Sequence, residues 1–170
     1  MLVSGGARSG KSAYALARAA VLPAPRVFVA TATAGDGEMA ARIAAHRRER
    51  GAAFTTIEEA LAPAGVLAGL DGATGVAVVD CVTLWIANLL ARHDDPAIAA
   101  AITTLADTIA RREFPVVVVT NEVGWGIVPF DGETRRFRDL LGLANQRLAS
   151  AADEVVLMVA GIPVAVKRPR

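Results

Sequence analysis

The sequence predicts an α/β fold, with a mostly parallel sheet covered on both faces by helices and finished by antiparallel C-terminal strands. Three observations carry this expectation. Short β-branched runs alternate with longer helical stretches along the chain. Two of the runs, Val76-Ala77-Val78-Val79 and Val116-Val117-Val118-Val119, are continuously apolar, as strands buried on both faces are. The last two runs, residues 155–160 and 164–166, are joined only by Gly161-Ile162-Pro163. That link is too short for a crossover helix, so the two strands pair antiparallel.

The elements follow in order. Leu2-Val3 opens a short strand that runs into glycines, and residues 10–21 read as a helix. Residues 26–30 form a second strand, and residues 38–50 a helix with Met39, Arg42 and Ile43 at helical spacing. Residues 54–57 form a weak strand and 58–70 a weak helix. The run 76–79 ends at Asp80, and residues 82–91 are apolar and helical. Pro96 suits the first turn of a helix over 96–112. Residues 116–119 are a strand, 133–151 a helix, and the two closing strands complete the chain.

Composition narrows the class. The 170 residues suit one domain spanning 1–170. Eighteen Lys+Arg against 17 Asp+Glu leave a net charge of +1, which argues against a protein that coats nucleic acid. A hydrophobic share of 54% excludes disorder as the dominant state. The single cysteine, Cys81, allows neither an internal disulfide nor a cysteine-based zinc site, and His46 and His93 are too few for a multi-histidine one. The longest uncharged run, residues 155–166, is shorter than the roughly 18 apolar residues of a membrane span. The N-terminus lacks a signal-peptide pattern, so the expectation is a cytoplasmic protein. Sixteen of the cations are arginines and only Lys11 and Lys167 are lysines. Lys11 therefore marks a place where an ammonium is specifically needed, whereas Lys167 reads as a solvated tail charge.

Gly5-Gly6-Ala7-Arg8-Ser9-Gly10-Lys11-Ser12 satisfies G-x-x-x-x-G-K-[ST] at every fixed position, between the first strand and the first helix. The glycines let backbone N–H groups turn inward on phosphate oxygens, and the helix offers its positive end to the same anion. Lys11 reaches β- and γ-phosphates and Ser12 ligates Mg²⁺. A three-layer P-loop NTPase-like, RecA-like fold follows, and the dinucleotide pattern G-x-G-x-x-G is absent. Asp80, ending an apolar strand, fits the second metal carboxylate, with a helix N-cap as the plainer reading. Asn121-Glu122 after residues 116–119 is its rival.

His46 lies among Arg42, Arg47, Arg48, Glu49 and Arg50. By composition this is the solvated basic end of a helix, favourable to its dipole. The sharper reading is a phosphate-handling cluster in which arginine forks hold triphosphate oxygens. Cations around the imidazole would favour its neutral, nucleophilic form. Trp85 is expected in the core and Trp125 in a loop, with contact to a bound ligand as the alternative for both.

The stretches Gly5 to Ser12, Met39-Ala-Ala-Arg-Ile43 followed by His46, Thr120-Asn-Glu-Val-Gly-Trp-Gly-Ile-Val-Pro129, Asn145-Gln-Arg-Leu148 and Ala151-Ala-Asp-Glu154 together resemble one family over nearly the whole chain. It is the bifunctional adenosylcobinamide kinase/adenosylcobinamide-phosphate guanylyltransferase of cobalamin biosynthesis. The resemblance implies phosphorylation of adenosylcobinamide by ATP or GTP. It then implies transfer of GMP from GTP, through a guanylylated histidine, to the corrinoid phosphate, giving adenosylcobinamide-GDP. The histidine falls on His46. Nucleotide-binding stretches fall on Gly5 to Ser12, on Thr31, Ala32 and Thr33, on Arg47, Arg48, Glu49 and Arg50, on Glu58 and on Asp80. Mg²⁺, a small-molecule corrinoid partner and a homo-oligomer, a trimer, are implied as well. Ala45 stands where many members carry a further histidine. The alternatives are a P-loop small-molecule kinase without nucleotidyl transfer, and a nucleotide-driven switch. The second is disfavoured by the short chain and the absence of a basic face.

Overall fold

The computed structural model describes residues 1–35 and 37–169. Within its second helix the side chains of Glu38, Met39, Arg42, Ala45, His46, Glu49 and Arg50 lie outside the described part.

The chain runs β1 (Leu2–Gly5), α1 (Lys11–Ala20), β2 (Arg26–Ala30), α2 (Gly37–Arg50), a 3₁₀ turn (Gly51–Ala53), β3 (Thr55–Glu58), α3 (Pro63–Gly69) and β4 (Val76–Asp80). It continues through α4 (Val82–Leu90), α5 (Asp95–Ala110), β5 (Val116–Val119), α6 (Gly132–Ala151), β6 (Val155–Val159) and β7 (Ile162–Lys167). The strands form a seven-stranded sheet in the order β3-β2-β4-β5-β1-β6-β7. Every pairing is parallel except β6 with β7, where Val159 faces Ile162 across the hairpin.

Strand alternation divides the core into two layers. Ala77, Val79, Val116 and Val118 face a layer built with Trp85, Ile86, Ile102, Leu105 and Leu141. Val76, Val78, Val117 and Val119 face the other, with Ala15 and Ala19 of α1. The continuous valine runs are explained by that geometry: with both faces covered, residues 76–79 and 116–119 have no open side for a polar group, and β4 turns polar only at its end, at Asp80. The small residues of α1 let its backbone approach the sheet closely. Trp85 is a core residue, 1% exposed, and its indole N–H donates to the Leu61 carbonyl at 2.8 Å.

Three expectations need correcting. The helix expected over 58–70 is confined to α3, because β3 continues through Glu58 and Pro63 sits at the first turn of the helix. The turn expected at Gly161-Ile162-Pro163 is the tighter pair Ala160-Gly161, both with positive φ (51° and 84°), as a two-residue hairpin requires. Pro163 therefore lies in β7, a sheet-edge strand that tolerates it. Lys167 is not a solvated tail charge. Its ammonium donates to the carbonyls of Ala149, Ser150 and Ala152 at the end of α6, where four carbonyls lack helical partners.

Gly75 is the glycine with the least room for a side chain. A Cβ built there would meet the Pro23 carbonyl oxygen at 2.0 Å, whereas one at Gly69 would meet nothing within 4 Å. Gly75→Ala should therefore destabilise the protein by about 2–3 kcal/mol, while Gly69→Ala should stay within about 0.5 kcal/mol of wild type. Urea unfolding followed by Trp85 fluorescence separates the two. Equal midpoints would mean that the 22–25 segment yields freely.

Candidate nucleotide site

Parallel strands bring their carboxyl ends to one edge of the sheet, and open α/β sheets bind ligands at such an edge. The glycine-rich turn leaves β1 there. Gly5 has φ +150°, and a Cβ on it would stand 2.6 Å from the Met158 carbonyl and 2.8 Å from Ser9 Oγ, so only glycine fits. Gly10, at φ 89°, closes the loop immediately before α1, and Arg8 also adopts a left-handed φ of 54°. Gly6, Ala7, Arg8 and Gly10 are exposed, whereas Ser9 is buried. Lys11 is 8% exposed. Its ammonium is held inside the turn, donating to the Gly6 carbonyl at 2.6 Å and reaching Ser9 Oγ at 3.5 Å. Ser12 lies in the first turn of α1. The loop thus offers N–H groups, a helix N-terminus and an ammonium to one anion.

Asp80 ends β4, two strand spacings or about 10 Å from β1. It is not the N-cap of α4; Cys81 occupies that position with extended backbone. Burial pushes the Cys81 thiol up to about 11, and the Asp80 charge adds to the shift. Thr31 is fully buried. Its hydroxyl donates to the Cys81 carbonyl (2.7 Å) and accepts from the Cys81 N–H (2.8 Å), which braces β2 against β4. Asn88 adds a bond from Nδ2 to the Thr31 carbonyl.

A second group of expected residues gathers at the ends of β2 and β3. Ala32, Thr33, Arg47, Arg48 and Glu58 line a cleft of about 690 Å³ together with Ile43 and Glu59. Arg47 pairs with Glu58 at 2.6 Å, both side chains about half exposed. Backbone N–H groups of Ala62 and Leu61 hold the Glu59 carboxyl below its ordinary range. His46, Glu49 and Arg50 belong to the same helix α2, but their side chains lie outside the described residues. The loop strand β1 and the cleft strand β2 are separated by β4 and β5, three strand spacings or about 14 Å. The expected residues therefore form two clusters on one edge rather than one.

Sequence reasoning gave no role to Ser4 or Asn145. Ser4 Oγ donates to Glu122 Oε1 at 2.6 Å, and Asn145 Nδ2 donates to the Asn121 carbonyl and to Glu122 Oε1 at 3.0 and 3.2 Å. Thr120 Oγ1 in turn donates to Asn145 Oδ1 at 2.7 Å. A signal existed in α6: Asn145 stands between Leu141 and Leu148 on the helix's apolar face, where an amide needs a buried purpose.

Residues 1–166 match the model of a family described as cobinamide kinase / cobinamide phosphate guanyltransferase. The chain is 40% identical over 166 residues to the bifunctional adenosylcobalamin biosynthesis protein CobP of Pseudomonas aeruginosa, covering 98% of this chain and 96% of that one. It is 43% identical over 182 residues to the corresponding CobU protein of Salmonella typhimurium, covering 98% and 99%. Among solved structures, a Pyrococcus horikoshii protein overlaps 99% of the chain and 86% of its own length, with a TM-score of 0.56 and 9% identity. The P4 protein of bacteriophage phi6 in complex with ADP overlaps 96% and 51%, with a TM-score of 0.50 and 18% identity. These two likenesses concern the fold alone. With a matching family model, near-complete coverage and about 40% identity to its curated relatives, the chain belongs to the bifunctional cobinamide kinase and cobinamide phosphate guanyltransferase family of cobalamin biosynthesis.

Proposed function

We propose that this chain, acting as one domain, phosphorylates adenosylcobinamide at the phosphate loop and then guanylylates the product through His46. The observation that carries the reading is the pair of anion-binding clusters on one sheet edge: Lys11 inside the loop, and Arg47 with Arg48 in the α2 cleft. In the first reaction the acceptor hydroxyl oxygen bonds to the γ-phosphorus of ATP or GTP. The bond to the bridging oxygen breaks, and the nucleoside diphosphate leaves with the electron pair. Lys11 and the loop N–H groups hold the charge that spreads over the transferring oxygens.

In the second reaction a neutral His46 imidazole attacks the α-phosphorus of GTP. A phosphorus–nitrogen bond forms, and pyrophosphate departs. The corrinoid phosphate then displaces the histidine, and GMP ends on the acceptor. Two displacements replace one difficult transfer, the general benefit of a covalent intermediate. Arg47 and Arg48 line the cleft with Ala32 and Thr33, and would fork onto phosphate oxygens bound there. Arg47 already holds an exposed carboxylate, Glu58; exposed pairs are worth about 0–1 kcal/mol, so exchange for a phosphate is cheap.

The donor set suits Mg²⁺. Ser12 and Asp80 are hard oxygen ligands, and no cluster of three or more His, Cys, Asp or Glu side chains able to hold a metal exists among the described residues. That sparse set is what an ion bound mostly through water and substrate phosphates requires. Held by Ser12 and Asp80, Mg²⁺ would supply positive charge to offset that of the transferring phosphate. No helix among the described residues is long and apolar enough to cross a membrane. A cytoplasmic site of action is part of the proposal, supported by the family's place in cobalamin biosynthesis. Assembly into a homo-oligomer, a trimer, is also proposed. Its support is the loop beyond β5, where Trp125, Ile127 and Phe130 are 74%, 98% and 100% exposed.

Three outcomes test the reading. Lys11→Ala should lower phosphorylation of adenosylcobinamide roughly 100-fold or more, measured with γ-labelled ATP. GTP labelled at the α-phosphate should leave acid-labile, alkali-stable label on the chain, and His46→Ala should abolish it; label that persists in the variant removes His46 from the mechanism. Light scattering should return three times the chain mass, and a monomer at micromolar concentration would refute the assembly.

A further inference from the structure

One carboxylate next to the phosphate loop has no part in the reading above. Glu122 follows β5, the strand paired directly with β1, and its backbone N–H donates to the Gly5 carbonyl at 3.1 Å. Its side chain is held from two sides, by Ser4 Oγ at 2.6 Å and by Asn145 Nδ2 at 3.2 Å. Both bonds end on Oε1. Among the described residues Oε2 accepts no hydrogen bond, and no cation pairs with the group. Ser4 is itself 5% exposed, and Asn145 is fixed by Thr120, so the clamp is rigid. An acceptor clamped through one oxygen, with the other left over, is a carboxylate oriented towards something outside the protein.

Its neighbourhood narrows what that something is. A carboxylate beside a triphosphate site is repelled by the bound anion unless a proton donor or a metal stands between them. The metal has a proposed carboxylate in Asp80, at the end of the neighbouring strand β4. What the kinase half of the site still lacks is a group for the acceptor's hydroxyl proton. We infer that Glu122 is the catalytic base of the phosphorylation step, receiving at Oε2 the proton of the corrinoid's hydroxyl as that oxygen bonds to the γ-phosphorus. The electron pair of the broken bridging bond leaves with the nucleoside diphosphate, and the proton passes from Glu122 to solvent afterwards. The inference rests on the phosphate loop being the kinase site. It adds the group that faces the acceptor rather than the nucleotide.

The discriminating variant is Glu122→Gln. An amide oxygen still accepts from Ser4 and Asn145, so the clamp survives, and only the basic oxygen is lost. The expected result is a fall in kcat for phosphorylation of about 100-fold, within the usual contribution of a general base. The KM for ATP and the affinity for a non-hydrolysable ATP analogue should stay within about threefold of wild type, a margin of about 0.65 kcal/mol. Glu122→Ala should lose as much activity and regain part of it in added formate, which a structural role would not allow. A Glu122→Gln enzyme within threefold of wild-type kcat, or Glu122→Ala indifferent to formate, overturns the inference. So does a deficit that excess Mg²⁺ repairs, since Glu122 would then be a metal ligand. A wild-type protein unable to phosphorylate the corrinoid would instead overturn the underlying kinase reading.

Discussion

The site depends on a belt of hydrogen bonds that ties together the carboxyl ends of four adjacent parallel strands. It starts at β2, where the Thr31 hydroxyl exchanges two bonds with the Cys81 backbone at the end of β4. It crosses to β5 through the Asn121 N–H, which donates to Thr83 Oγ1 at 3.0 Å, and reaches β1 through Glu122, Ser4 and Gly5. Parallel strands that stop at one edge leave backbone groups there without ladder partners, and buried groups of that kind are costly. Side chains of Thr31, Thr83 and Asn145 answer that need, and Ser4 joins the belt through the Glu122 carboxylate. In doing so they fix the relative height of the strands from which the phosphate loop, Asp80 and Glu122 emerge, and small displacements of such groups cost large factors in rate.

The belt also explains a division of labour on that edge. Within it Ser4, Thr31 and Thr120 are buried, and the hydroxyl of each donates a hydrogen bond. Residues beyond it, such as Thr33, Arg47 and Glu58, are exposed and held by weak or single contacts. The first group sets geometry, and the second is held loosely enough for the phosphate-handling role proposed for it. Thr31 and Thr33 are two residues apart in sequence yet fall on opposite sides of this boundary.

Much of this was legible in the sequence, for physical reasons that differ from place to place. The valine runs of β4 and β5 are unambiguous because no exposed strand could carry them. The phosphate loop was legible because its backbone can be built only with glycine at Gly5 and Gly10. Strand order was not legible: the position of β5 between β1 and β4, which brings Glu122 rather than Asp80 beside the loop strand, comes from long-range pairing that no local pattern encodes. The choice between Asp80 and Glu122 as the important carboxylate looked like rivalry in one dimension. In the fold the two stand on neighbouring strands with different surroundings. Proline reads as a turn residue in sequence, but Pro163 lies in an edge strand, which accepts it, and the hairpin turn sits earlier, at Ala160-Gly161.

The two lysines make the same point from composition. In a chain where arginine serves almost everywhere, both ammonium groups converge on backbone carbonyls. Lys11 binds Gly6 inside the phosphate loop, and Lys167 binds three carbonyls at the end of α6. A guanidinium is planar and presents its donors in a fixed fork, suited to a carboxylate or phosphate lying in its plane. Carbonyl oxygens at a helix end point in different directions around a small volume, and a compact tetrahedral ammonium satisfies them where a flat fork does not. The rarity of lysine was therefore a structural signal at both positions. At Lys11 a motif accompanies it, and at Lys167 none does. The chemistry of the donor, rather than the presence of a motif, was the sounder guide.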